Sequence, residues 1–236
     1  MSYPDPSPHA VYAAAVESLA GRVLGALTGT RGPAGPARHV EEAGDPKAAL
    51  AAVRVLGPDV FAPALLAGAA FGPADCEAVT EAFRVFPPGP DDPPETVWRD
   101  RATAALLTRH GGDPVAPGAQ PVSRTPRHRW RIWAGWMARL SPLALPGVTG
   151  PLPEPDARAA QALAMGTTRA LLRRDHPTAA RLARWAAYAD GRGAPCTLDL
   201  GAVLDHIELC GSGTARTALD TAIARRLAAG SERRTA

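Results

Sequence analysis

Apolar residues recur along this chain at helical spacing, and no stretch alternates convincingly with the period of a strand. The first run, roughly Ala10 to Leu27, puts Val16, Leu19, Val23 and Leu27 on one helix face. Thr28–Ala37 holds three glycines and two prolines and reads as a loop. Asp45-Pro46 supplies an N-cap followed by proline at the first helical position, which predicts a helix to about Leu56. Pro58 and Pro73 punctuate two more helices, the second ending before Pro87-Pro88. Another helix runs from about Glu95 to His110. Further on, Arg127–Leu140 sets Trp130, Trp133, Met137 and Leu140 on one stripe. That stripe predicts Trp130 and Trp133 as core, with Trp136 the least committed. Helices follow over about Asp156–Arg174, Pro177–Ala189, Leu198–Cys210 and Thr214–Ala228, with Trp185 buried in the second of these and Gly230–Ala236 a frayed tail.

The expected fold is therefore all-α, a compact multi-helix bundle in two packed halves. Pro87–Pro94 is a proline linker inside the first half, residues 1–110. Gly111–Pro126, rich in Gly and Pro, joins that half to the second, residues 127–236. Alanine dominates a hydrophobic content of 46%, which suits closely packed helices. Three cysteines without CxxC spacing argue against a disulfide framework or structural zinc. The start, Met1-Ser2-Tyr3-Pro4, does not read as a secretory signal. The longest apolar run, Val60–Phe71, is broken by Pro63 and too short for a bilayer. A cytoplasmic protein with no membrane partner is expected.

Charge changes the picture most. Residues 1–118 carry 9 basic and 14 acidic side chains; residues 119–236 carry 17 and 9. All the bases except Lys47 are arginine. GC-rich coding accounts for arginine over lysine but not for the split between halves. Guanidinium groups bind phosphate bidentately and stack on flat rings, so a one-sign surface of this kind suits a polyanion. Arg169 and Arg173 are four apart, Arg181 and Arg184 three apart, and each pair shares a helix face. With Arg174 they form one candidate track, which Arg192 would continue, and Arg127, Arg129 and Arg131 a second rung. The tryptophans offer stacking surface, but their spacing favours a core role.

No catalytic or metal motif competes strongly. His39-Val40-Glu41-Glu42 and Asp205-His206-Ile207-Glu208 combine imidazole and carboxylate, yet neighbours on a helix point apart and neither has a four-apart His pair. No P-loop, nucleophile elbow or Rossmann glycine motif is present. No metal, no cofactor and no catalytic residue is expected.

The order of segments resembles the CasB family, the small subunit of the type I-E CRISPR surveillance complex Cascade. Gly44-Asp45-Pro46-Lys47-Ala48-Ala49-Leu50-Ala51-Ala52-Val53-Arg54 is similar to the family's early glycine-acid turn and its helix ending in arginine. Arg101–His110 with Pro114 beyond is similar to its Ala-Thr helix. Leu171-Leu172, the break at Asp175, Arg181-Leu182, and Leu198-Asp199-Leu200 with Val203-Leu204 match its end most closely. The chain departs from the family in having Val55 after Arg54, Leu209-Cys210 in place of a tryptophan, and a last helix without aromatics.

The resemblance implies an all-helical, non-enzymatic subunit that stabilises guide-paired target DNA and the displaced strand. Its partners would be crRNA, target DNA, the other Cascade subunits and a second copy of itself. It adds Arg54 to the candidate contacts. Exchanging a DNA duplex for an RNA–DNA hybrid is nearly energy-balanced, so sequence-blind backbone contacts can tip it. Two alternatives stand beside it. One is a helical DNA-binding regulator using Leu198–Cys210 and Thr214–Ala228 as a helix-turn-helix. The other is a helical biosynthetic enzyme with a pocket near the tryptophans.

Overall fold

Asp45 caps the helix that opens at Pro46, its carboxylate accepting the Ala48 N–H at 3.0 Å. The same device recurs at Asp156, Asp175 and Asp199, which accept from Ala159 (2.8 Å), Thr178 (3.1 Å) and Ala202 (3.0 Å). Each such cap contributes about 1 kcal/mol to its helix. Three of the four lie in the basic half.

The computed structural model describes residues 7–30, 35–116, 129–152, 154–211 and 213–235, with side chains described as far as residue 231. Among these the chain is all-α, with no strand. The helices are α1 (Pro8–Thr28), α2 (Pro36–Glu41), α3 (Pro46–Leu56), α4 (Ala62–Ala67), α5 (Pro73–Val85) and α6 (Pro94–Arg109), followed by α7 (Trp130–Arg139), α8 (Ala157–Leu172), α9 (His176–Asp190), α10 (Leu200–Cys210) and α11 (Ala215–Thr235). Short 3₁₀ turns at Gly57–Phe61 and Ser141–Leu143 complete the described elements.

Three boundaries differ from the sequence pattern. A short helix, α2, follows Gly35 directly. The segment after Pro58 divides into a 3₁₀ turn and the six-residue α4, because Gly57 turns the chain with φ +57°. The expected tail is helical instead: α11 continues through Gly230, and Ser231 is buried with its hydroxyl 2.9 Å from Asp190 Oδ2.

Packing centres on α9, which lies against α8, α10 and α11. Ala179, Ala180, Ala183, Ala186 and Ala187 are all buried, and small side chains let these neighbours approach closely. One apolar core links the halves, running from Val16 of α1 through Leu107 and Trp185 to Leu227 of α11. Among the described residues two segments are long and apolar enough to cross a membrane by composition, Pro8–Thr28 and Pro46–Ala67. The second is 72% buried inside the fold and bends at Gly57. In the first, Leu19, Ala20, Val23 and Leu27 face the core.

Candidate nucleic-acid interface

The nine arginines singled out in the sequence separate into distinct environments. Arg184 is fully buried: Nη2 lies 2.6 Å from Asp59 Oδ1, Nη1 lies 3.0 Å from Asp220 Oδ1, and Nε donates to the Ala144 carbonyl at 3.3 Å. Burial opposes its charge, but Asp59 and then Asp220 overcome that and hold the guanidinium above its ordinary range. Arg54 is also internal. It makes a bidentate pair with Asp100, donates to the Phe86 carbonyl at 3.0 Å and lies 4.2 Å over the Phe83 ring, leaving 11% of its side chain exposed. Neither presents its charge to solvent, so both leave the candidate set. Sequence spacing put Arg184 beside Arg181 on an outer face; the core-facing side of α9 claims it instead, because two buried carboxylates require a cation.

Arg181 is half-buried, with Nε 3.6 Å from Asp220 Oδ2, and it lines a recess away from Arg169 and Arg173. Arg127 lies outside the described residues. The remaining five, Arg129, Arg131, Arg169, Arg173 and Arg174, are exposed. Among the described residues none of the five has a carboxylate partner within 4 Å.

These five sit where the start of α7 meets the end of α8. Arg131, Arg169 and Arg173 line a groove of about 210 Å³ with Trp130, and Thr178 and Leu182 of α9 form its far wall. A larger groove of about 440 Å³ shares Trp130, Arg169 and Arg173 and adds Met165, Leu172 and Leu198. Its floor is apolar and open: Leu172 is 81% exposed and Met165 39%. The geometry depends on Gly166, where a Cβ would stand 2.8 Å from Ala134 Cβ and 3.0 Å from Leu182 Cδ1. A mid-helix glycine costs about 1 kcal/mol relative to alanine; here it lets α7 settle onto α8 and α9.

Two local features add to the field. α7 begins without a side-chain cap and without an acidic residue in its first turn, and Arg129 and Arg131 flank that end. Cations at the positive end of a helix dipole are unfavourably placed, and an anion there would relieve them. At the end of α8 the chain closes in a Schellman turn: Asp175 N–H donates to the Ala170 carbonyl and Arg174 N–H to the Leu171 carbonyl, both at 2.9 Å. Arg174 holds the left-handed position of that turn (φ +57°), where glycine is usual, and it is the one described non-glycine residue with positive φ.

Trp130 is only in part where its stripe placed it, packed against the edge of the core. Its stripe pointed to the core, yet it is only partly buried, lines both grooves and carries Arg131 5.4 Å over its ring. Trp133 and Trp136 are the buried members, at 3% and 7% exposure, and Trp185 is buried as expected, its Nε1 donating to the Met137 carbonyl at 2.8 Å. The signal available in the sequence was position: Trp130 stands between two arginines in the first turn, where the stripe runs past the edge of the core.

Elsewhere α11, the second helix of the suggested helix-turn-helix, packs against α9 and α1 and buries Leu219, Thr221, Ile223 and Ala224. Its Arg225 is tied to Glu208 and Asp205 of α10, at 2.8 and 2.6 Å. Among the described residues no group of three or more His, Cys, Asp or Glu side chains is placed to hold a metal. Comparison of the chain with protein-family models, curated proteins and solved structures finds no match.

Proposed function

We propose that this chain is a non-catalytic nucleic-acid-binding subunit that grips a sugar–phosphate chain across the end of α7 and α8. The observation that carries the reading is the gathering of Arg131, Arg169 and Arg173 around one pair of grooves, with Arg129 and Arg174 exposed next to them in the chain; among the described residues none of the five has an ion pair, although Asp175 lines the smaller groove. Phosphates would sit along the guanidinium rim and at the uncapped start of α7. Unstacked bases would rest on Trp130 and the apolar floor, an arrangement suited to a single strand. Such contacts read no sequence. They fit the role that the CasB resemblance implies in the cytoplasm: holding guide-paired target DNA and the displaced strand beside crRNA, other Cascade subunits and a second copy of the chain.

The test is fluorescence anisotropy with a labelled single strand of about 20 nucleotides, followed across salt concentrations. Each phosphate contact on a single strand contributes about 0.7 to the slope of log K against log salt. Combining Arg131→Gln, Arg169→Gln and Arg173→Gln is expected to flatten the slope by about 2. Trp130→Ala should weaken single-strand binding by about 1–3 kcal/mol and duplex binding less. An unchanged slope in the triple variant removes the groove from consideration. Reconstitution with the other Cascade subunits around a guide RNA tests the assembly separately: failure of the chain to enter the complex would leave the groove reading standing and end the CasB one.

A further inference from the structure

At the far end of α7, about 12 Å along the helix from Arg131, four more arginines converge on a separate recess of about 430 Å³. Arg99 comes from α6, Arg139 from α7, Arg181 from α9 and Arg216 from α11. Its single lining carboxylate, Glu95, is taken by Arg139 at 2.5 Å. Arg181 leans on Asp220, which Arg184 already shares. Among the described residues Arg99 donates only to neutral acceptors: the carbonyls of Glu95 and Val55 at 3.4 and 3.2 Å and the Thr96 hydroxyl at 3.2 Å. Arg216 has no side-chain partner among the described residues, and the same is true of the Ser141 hydroxyl on the recess wall.

Buried or half-buried charges are ordinarily paired; here Arg139 has Glu95 and Arg181 has Asp220, whereas the half-buried Arg99 and Arg216 have no side-chain ion pair among the described residues, which leaves a deficit of negative charge at the recess. Burial is the chief cause that holds Arg99 below its ordinary range; Asp100 and Asp59 pull the other way, and Arg216 and Arg54 add to the lowering. We propose that this recess binds a phosphate dianion, the phosphoryl end of a phosphomonoester. Guanidinium forks and two hydroxyls match the acceptor oxygens of such a group. The recess volume lies within the roughly 300–1,000 Å³ of small-molecule sites. The two sources of this chemistry are the terminal phosphate of a nucleic-acid strand and a free phosphorylated metabolite. The inference does not depend on the outer groove.

Calorimetric titration of inorganic phosphate into the full-length protein, at constant ionic strength in chloride, is the test. Arg216→Gln and, separately, Arg139→Gln (a mostly exposed side chain whose loss the fold should tolerate) are each expected to weaken phosphate binding about tenfold. Arg169→Gln with Arg173→Gln should leave it unchanged while weakening oligonucleotide binding. A 5′-phosphorylated strand binding about tenfold tighter than its 5′-hydroxyl twin, with the gain lost in Arg216→Gln, would identify a strand terminus as the source. Ribose 5-phosphate binding without any such strand gain would identify a metabolite. Absence of phosphate binding by the wild type, or wild-type affinity for phosphate in both single variants with unchanged melting temperature, overturns the proposal.

Discussion

Arg184 and Asp59 meet in the core at 2.6 Å although 125 residues separate them along the chain. One belongs to the basic half and the other to the acidic half, so this pair fixes how the halves register. Asp220 closes the cluster from α11, and Arg181 at 3.6 Å offsets its second charge. Removing the central cation strands two buried carboxylates. Arg184→Met is accordingly expected to cost about 3–5 kcal/mol of stability, read as a lower urea midpoint at unchanged slope. Protein that remains folded should bind nucleic acid with wild-type salt dependence. A flattened slope in that variant would return Arg184 to the interface.

Arg174 separates charge from stability in the opposite sense. Its left-handed backbone costs an L-residue roughly 1–2 kcal/mol, which glycine would avoid at some expense in unfolded-chain entropy. Arg174→Gly should leave the protein as stable as the wild type or up to about 1 kcal/mol more so. The same change removes one exposed cation beside the groove residue Arg173 and should lower the single-strand salt slope by about 0.7. A structural role for the side chain predicts the reverse, a less stable protein with unaltered binding.

Helix positions were legible in the sequence because local signals set them. Asp45, Asp156, Asp175 and Asp199 stand at N-caps, and Pro46 and Pro94 open helices at their first turn. Of the arginines the charge split singled out, Arg129, Arg131, Arg169, Arg173 and Arg174 are exposed near α7 and α8. What spacing could not tell was which arginines the core would consume. Arg181 and Arg184 share a face by periodicity, yet that face is itself partly internal, and Asp59, the residue that claims Arg184, is remote in the chain. Arg54 was likewise claimed by Asp100, 46 residues on. The second recess escaped notice because Arg99, Arg139, Arg181 and Arg216 belong to four helices, and only tertiary packing brings them together.

His39 gives a prediction in pH. It is buried at 4% exposure with no partner for Nε2. Burial first, and then Arg22, hold its pKa below the ordinary value, with Glu42 opposing. His110 is displaced in the same direction by burial and then Arg109. With the folded pKa depressed, the unfolded chain binds more protons once pH falls below about 6.5, so stability is lost on acidification. Asp59 and Asp100, pushed up chiefly by burial, contribute with the opposite sign. His39→Leu isolates the histidine: the fall in melting temperature between about pH 7 and pH 5 should be smaller than in the wild type. An equal or larger fall would place the acid sensitivity elsewhere.

Gly166 tests whether the groove depends on close packing as well as on charge. A methyl group there would stand 2.8 Å from Ala134 Cβ, on the helix that carries Trp130 and Arg131. Relief requires α7 to move outward, because Ala134 is buried and has no rotamer to change. Overpacking of this kind costs about 1–3 kcal/mol, against roughly 1 kcal/mol recovered from alanine's better helix propensity. Gly166→Ala should therefore lie between neutral and about 2 kcal/mol less stable. It should also weaken oligonucleotide binding although no charge has been removed, since Arg131 and Trp130 would no longer face Arg169 and Arg173 across the same gap. Unchanged affinity would mean that the strand follows the arginines wherever α7 lies, and that the groove contributes charge without shape.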